Sequence, residues 1–588
     1  MTAMAGRLAA IAALCFVAAL QLHRLDDSDT WWHLASGRRI AERGEVDRVD
    51  PFSYTAAGAE WINRQWLFDV GAFASWRAGG ELGLTLVAGA GYFAGFLSLY
   101  VLVRRRLPIW AAAVLVMLAA QAAVERFTVR PEAATMALLG VYLLVLDGPW
   151  RPLRMAALVA LQALWANLHA LSVLGLIPLA TAWAAAAASH FLPLPAGWRL
   201  QRDGRELRAL GFAMVGAALA EAATPFGLRG ALFPLRLLTV IRGGEATSPS
   251  IVEHLPPTLA TLSPVAAFGL VSLLVLATIA AAASWRHLRL DHAALAIAFA
   301  ALALLARRNV ALVGFGQLPL VASGLASSAW ALDRRLRRRP GVAAAAELAL
   351  AAVLAVPTVR VITGDWYRST AHLSRTFGFG RSELLFSRGA ADWLEQHAPE
   401  ARVFNDDGLG GWLLWRSFPP RRVFLDGRLQ VYPADVFEEY MSVLDDPDAF
   451  AALAARRGLT AAILSHPAPG RLELARAIAR LPGWRVGYLD AGTIVLVADG
   501  QPGGDPDGLR APVVETDAAG VAGALDGELS RIRTPVEAAV SHYQRGRAIA
   551  YLYGASGAAL AADDFRAAQR LFPDYQPAAA GLRALGAS

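Results

Sequence analysis

Leu8-Ala-Ala-Ile-Ala-Ala-Leu-Cys15-Phe-Val-Ala-Ala-Leu20-Gln-Leu-His23-Arg-Leu-Asp26-Asp-Ser-Asp29-Thr-Trp-Trp-His33 decides how the rest of the chain is read. An apolar run that follows Arg7 gives way within a few residues to an acidic cluster and a tryptophan pair. No small-residue cleavage site separates the two, so the run reads as a retained membrane anchor and not as a leader peptide. Crossing about 30 Å of hydrocarbon takes roughly 20 mainly apolar residues. By that measure the chain offers about eleven spans, at roughly 5–22, 82–103, 108–124, 132–147, 154–168, 170–188, 209–224, 263–284, 291–306, 310–330 and 342–362.

Composition agrees. With 588 residues, 56% of them hydrophobic, and a mean hydropathy of +0.41, the chain is too apolar for an ordinary soluble enzyme and too long for one domain. The net charge is +7, from 55 basic against 48 acidic residues, and every basic one of them is arginine, since the sequence has no lysine. Those arginines fall in short clusters between apolar runs, as cytoplasmic loops do, so the partner they imply is the lipid bilayer and not nucleic acid. A single cysteine, Cys15, excludes an intramolecular disulfide and a cysteine-based metal site.

Charge also sets the orientation. Arg104 to Arg106, Arg151 with Arg154, Arg199 to Arg208, Arg286 with Arg289, and Arg334 to Arg339 lie on alternate connections, as they must if positive loops stay in the cytoplasm. An odd number of spans with a cytoplasmic N-terminus then leaves everything after about residue 363 outside. The expectation is a multi-pass protein of a bacterial inner membrane with an extracytoplasmic C-terminal domain.

The other connections carry tryptophans, acids and isolated arginines. In the first outer loop, 23–81, Trp31, Trp32, Trp61, Trp66 and Trp76 suit amphipathic helices at headgroup depth. Asp29 and His33 are four apart and share a helical face, where they can hold a sugar hydroxyl or take its proton. The competing reading makes Ser28 or Asp29 the N-cap of a helix beginning at Trp31. Asp27 and Asp29 are also the candidate ligands for Mg²⁺ or Mn²⁺, which favour carboxylates.

Three strings in this loop, Asp27-Ser-Asp-Thr-Trp-Trp-His-Leu-Ala-Ser-Gly37, Asp50-Pro-Phe-Ser-Tyr-Thr55 and Trp61-Ile-Asn-Arg64-Gln-Trp-Leu67, resemble a group of uncharacterised bacterial GT-C-like membrane glycosyltransferases. The resemblance covers about residues 1–500, in patches, and Arg64 stands where that group often has histidine. It implies about a dozen spans, a polyprenyl-phosphate-linked sugar as donor and a first-loop aspartate, Asp29 before Asp27, that deprotonates the acceptor.

Further polar motifs reach the same outer ends: Arg126-Phe-Thr-Val-Arg130-Pro-Glu132, Asn167-Leu-His169, Thr224-Pro-Phe-Gly227, Glu253-His-Leu-Pro-Pro257 and Arg307-Arg-Asn309. Ionisable groups at membrane depth are costly and point to function. Arg126, Arg130, Glu132, His169, Arg307, Arg308 and Asn309 are therefore the candidate substrate-binding residues, the arginines offering rigid forks to a phosphate. Structural readings stand beside this one. Arg126 and Arg130 can snorkel, Glu132 can pair with either, and His169 can serve as an interhelical hydrogen-bond partner.

The remaining chain reads as a linker at 363–388, a small α/β domain at 389–499, a Gly-, Asp- and Pro-rich linker at 500–534 and tetratricopeptide-like helices at 535–588. The expected α/β elements are helices at 389–397, 434–445, 447–457 and 470–481, with strands at 401–404, 421–425, 460–464, 484–489 and 492–497. One and a half repeats are too few to stand alone, so the tail is expected to dock on the domain before it or on a protein partner. Three functions compete: a polyprenyl-phosphate-dependent glycosyltransferase, a non-catalytic envelope scaffold, and a transporter of lipid-linked substrates. The last predicts internal repeats that the sequence lacks.

Overall fold

The computed structural model describes residues 2–200, 202–242, 252–371, 375–499, 535–573 and 575–587. The chain is mainly helical and divides into two compact bodies. The first comprises Met1–Leu25, Ile40–Val46 and Ile62–Gly380, and the second Asp26–Arg39, Asp47–Trp61 and Arg381–Ser588. The first outer loop is thus shared between them. The linker expected at 500–534 lies outside the described residues.

The first body is built from apolar helices. Among the described residues, Trp66–Arg104, Ala170–Phe191, Pro264–Ala283 and Pro340–Ile362 are long and apolar enough to cross a membrane. Arg307–Gly324 and Ala326–Arg337, bent by 63°, form a fifth, broken candidate. Gly6–Gln21, Ile109–Ala122, Glu132–Leu146 and Leu290–Leu305 are shorter apolar helices. This is a multi-pass membrane protein. Set against the eleven expected spans, several apolar runs form helices below spanning length, such as the 17-residue Pro152–Leu168 and Gly204–Ala220.

Without a hydrophobic drive between helices in lipid, small residues allow the close approach that packs them. Helix Trp66–Arg104 meets Glu132–Leu146 this way: a Cβ at Gly95 would lie 2.6 Å from the Met136 carbonyl oxygen, and one at Gly140 would lie 2.8 Å from Ser98 Cβ. Helix Trp66–Arg104 is not continuous. Gly79 and Gly80 leave helical geometry, and Gly80 has φ +58°, a conformation that glycine alone adopts freely. The break separates the tryptophan-bearing stretch that starts at Trp66 from the apolar span beyond. Helix Pro264–Ala283 begins cleanly because Ser263 Oγ accepts the Ala266 amide at 3.2 Å and Pro264 needs no amide partner.

The second body contains a four-stranded sheet of β1 (Val403–Asn405), β2 (Ala461–Leu464), β3 (Trp484–Leu489) and β4 (Ile494–Ala498), in the order β1-β2-β4-β3. β1 and β2 run parallel, while β4 is antiparallel to both β2 and β3. Helices Arg388–His397, Ala434–Asp445, Phe450–Arg457 and Arg471–Ala479 accompany it. The strand expected at 421–425 is instead a single parallel bridge, and its partner comes from the first loop: Ser53 pairs with Val423.

That bridge explains the string Asp50 to Thr55. Val423 N donates to Phe52 O and Tyr54 N donates to Val423 O, each at 3.1 Å. Tyr54 OH donates to Val403 O at 2.8 Å, and Thr55 Oγ1 donates to Phe424 O. The loop segment is therefore stitched into the sheet region by backbone pairing. The C-terminal helices Pro535–Tyr553, Ala558–Leu571 and Gln576–Ala584 join the same body. Arg547 Nη2 donates to His466 O at 3.1 Å, and the Arg476 guanidinium lies 5.0 Å from the Tyr551 ring centre. The tail packs against the α/β elements.

Candidate functional site

The arginine motifs meet in the first body. Helix Ile109–Ala122 ends in a short 3-10 turn, Val124–Arg126, and the chain re-enters the apolar layer at Glu132. This connection is held by its backbone: Arg375 donates to Val124 O at 2.7 Å and to Glu125 O at 3.1 Å, and a His23 ring nitrogen lies 2.5 Å from Phe127 O.

Arg126 then stands at the centre. Its Nη2 donates to Glu132 Oε1 and its Nη1 to Glu253 Oε2, both at 2.6 Å. Arg130 Nη1 lies 3.8 Å from Glu253 Oε2, and Arg308 Nη1 lies 3.9 Å from Glu253 Oε1. Burial pushes the Glu253 carboxyl up, but Arg126, Arg130 and Arg308 outweigh it and bring its pKa down to about 2. The stability this lowering brings is present above the usual glutamate value of 4.5 and is lost as the pH falls toward 2. Arg308 Nη1 also lies 3.0 Å from His254 Nε2, which must be an acceptor there and hence deprotonated. A small cavity opens beside the cluster, lined by Arg126, Glu132, Thr135, Leu171, Arg308 and Asn309.

The neighbouring candidates make contacts of their own. Arg307 Nε donates to Glu125 Oε2 at 2.8 Å and its amide donates to Leu255 O, so it braces two connections between helices. Asn309 Nδ2 donates to Leu302 O at 2.9 Å, satisfying a carbonyl in the last turn of helix Leu290–Leu305. His169 Nδ1 lies 2.7 Å from Thr135 Oγ1, which also accepts Trp165 Nε1–H, an interhelical bond of the kind weighed above. Arg64 is buried, with Nη2 2.6 Å from Glu221 Oε2 and 3.1 Å from Ser172 Oγ. A second cavity, lined in part by Asp147, Asp291 and His292, has its carboxylates paired to Arg105, Arg106 and Arg289.

Asp27, Asp29 and His33 belong to the second body. Asp27 Oδ1 accepts the Asp29 amide at 2.9 Å, at the entry to helix Asp29–Arg43. Asp29 lies against the Asp426-Gly427-Arg428 turn, so close that a Cβ at residue 427 would sit 2.0 Å from Asp29 Oδ1. His33 is buried and stacks on Trp32, ring centres 3.7 Å apart. Among the described residues no three histidine, cysteine or acidic side chains gather as a metal-binding group, so the Mg²⁺ or Mn²⁺ expectation rests on Asp27 and Asp29 alone.

A buried ion cluster lies in the same body. Arg428 donates Nε to Asp426 Oδ1 at 2.9 Å and Nη2 to Asp426 Oδ2 at 2.7 Å, and Tyr432 OH donates to Asp426 Oδ2 at 2.9 Å. Arg428 Nη1 is 2.8 Å from Asp50 Oδ1, an ion pair whose N–H direction falls outside hydrogen-bond geometry. The guanidinium lies over the rings of both Phe52 and Trp61, 4.8 and 4.6 Å from their centres. Asp50 in turn accepts the Phe52 and Ser53 amides, each at 3.0 Å.

Sequence reasoning missed Glu125, His23 and Arg375, and had Glu253 only as part of a motif. Glu125 beside Arg126 and Glu253 beside His254 were the available signals. Arg375 carried none.

No family model matches the chain, and no curated protein is found as a relative. Among solved structures, the oligosaccharyltransferase of Archaeoglobus fulgidus, tethered through a disulfide to an acceptor peptide with the NVT sequon, aligns with a TM-score of 0.52 and 16% identity, over 83% of this chain and 73% of that one. The same enzyme in complex with zinc and sulfate aligns with a TM-score of 0.47 and 16% identity, over 96% and 86%. ArnT from Cupriavidus metallidurans, bound to undecaprenyl phosphate, aligns with a TM-score of 0.46 and 14% identity, over 84% and 98%. The first of these likenesses shows a shared fold.

Proposed function

We propose that this chain is a membrane glycosyltransferase that takes a sugar from a polyprenyl-phosphate donor and transfers it to an acceptor outside the cytoplasm. The observation that carries the reading is the convergence of Arg126, Arg130 and Arg308 on one carboxylate at the ends of apolar helices. Three guanidiniums around an oxyanion form a seat for phosphate, and the adjoining apolar helices suit a polyprenyl chain. As the sugar–phosphate bond breaks, negative charge grows on the departing phosphate, and fixed arginines stabilise it there. Asp29 is assigned the removal of the acceptor hydroxyl proton, with Asp27 fixing its backbone and His33 on the same helical face. If a divalent metal takes part, Asp27 and Asp29 are its candidate ligands.

Purified protein in lipid nanodiscs, given a series of labelled polyprenyl-phosphate sugars and an envelope extract as acceptor, is expected to transfer label from at least one donor. Failure to consume or bind any donor in the series overturns the reading. The placement in a bacterial inner membrane has its own test. An alkaline phosphatase reporter fused after residue 363 is expected to be active, because that residue should face outward; activity of a cytoplasmic reporter there instead would remove the shared outer face.

A further inference from the structure

We infer that Glu253 is the resident occupant of the donor-phosphate seat, is displaced when the phosphate arrives, and thereby sets which ligands can enter. The inference rests on the phosphate reading and adds a specificity-determining residue to it.

The two carboxylates of the cluster are held differently. Glu132 is the first residue of a helix, is buried, and pairs with one arm of Arg126. Glu253 sits on a three-residue turn, Val252–His254, and its side chain keeps 32% of its exposure. Its oxygens are divided among three guanidiniums, but only the Arg126 contact, at 2.6 Å, is a hydrogen bond. The contacts to Arg130 and Arg308, at 3.8 and 3.9 Å, are too long for one. A tetrahedral phosphate spreads its oxygens wider than a carboxylate and can reach donors that a carboxylate leaves short.

Charge points the same way. Glu253 supplies one negative charge that faces Arg126, Arg130 and Arg308. Displacing Glu253 takes one negative charge away from these guanidiniums, and a phosphodiester carrying one negative charge restores it. A neutral headgroup has no means of taking the place of a paired carboxylate. Once the sugar has left, a returning Glu253 competes with the product phosphate for the same arginines and favours its release. The chemistry recognised is a phosphate oxyanion, whether on a lipid or free in solution.

The test compares wild-type protein with Glu253→Gln and Glu253→Ala in nanodiscs, measuring binding of a polyprenyl phosphate placed in the bilayer and, separately, of inorganic phosphate. Removal of the competing charge is expected to tighten polyprenyl-phosphate binding about tenfold. Tightening for inorganic phosphate alone would keep the displacement and make free phosphate the ligand. Equal or weaker binding by both variants, with wild-type protein binding, overturns the inference and leaves the phosphate seat standing. No binding by any of the three removes the seat itself and the inference with it. A measurement on wild-type protein needs no variant: hydrogen exchange of the 252–254 amides is expected to rise when a polyprenyl phosphate is added to saturation, and unchanged exchange overturns the displacement.

Discussion

Replacing Asp29 with Asn is expected to lower sugar transfer by at least about 1,000-fold, toward the upper end of what a positioned general base contributes, with no loss of folding. The asparagine side chain has nearly the shape of aspartate but cannot take up a proton at neutral pH. Its steric fit matters here, because Asp29 Oδ1 lies where a Cβ on residue 427 would come within 2.0 Å, leaving no room for a larger group. The bond from the Asp29 amide to Asp27 at the helix entry does not involve the substituted side chain, and an asparagine oxygen keeps the acceptor capacity of one carboxylate oxygen. The variant should therefore insert, purify and melt like the parent while failing to form product. Unimpaired transfer by Asp29→Asn would sink the assignment. Asp27→Asn is expected to cost less, since an amide oxygen can still accept the Asp29 N–H.

The second large effect is on stability. Arg428→Met is expected to destabilise the second body by about 3–5 kcal/mol, because it leaves Asp50 and Asp426 buried without a counter-charge. Arg428 is fully buried, so solvent does little to screen the loss. The substitution also removes the cation that lies over Phe52 and Trp61. Thermal unfolding should drop, and protease should cut within residues 47–61 before it cuts elsewhere in that body. A melting temperature within a degree or two of the parent would mean that Asp426 and Asp50 find other partners or give up their charge.

The reading from sequence succeeded where the signal was local. Apolar runs such as Pro264–Ala283 and Pro340–Ile362 are legible because lipid demands a continuous hydrocarbon surface. Arg126, Arg130 and Arg308 are legible because charge at the end of such a run has few cheap explanations. Their meeting point was not, since Glu253 comes from a distant connection and nothing in its neighbourhood names its partners. Asp426 and Arg428 share a turn, and the same guanidinium also answers Asp50, far away in the sequence. The residues 421–425 have the composition of a strand, yet their pairing partner is a first-loop segment that no local pattern connects to them. His169 makes the interhelical hydrogen bond that its structural reading allowed, and Asn309, which lines the small cavity, also bonds a carbonyl at the end of helix Leu290–Leu305.

The stitching of the first loop into the sheet has a consequence for how the protein is made. Tyr54 and its partner Val403 are 349 residues apart in the chain. A ribosome adding roughly 5–20 residues each second delivers the second partner tens of seconds after the first. Throughout that interval Phe52, Trp61 and the Trp31-Trp32 pair, all buried in the finished body, have no sheet to cover them. The nascent chain must keep them in the lipid interface or on a chaperone until residue 403 and those after it emerge, and chains cut short before that point are expected to be cleared by quality control even though most of their membrane helices are already in place.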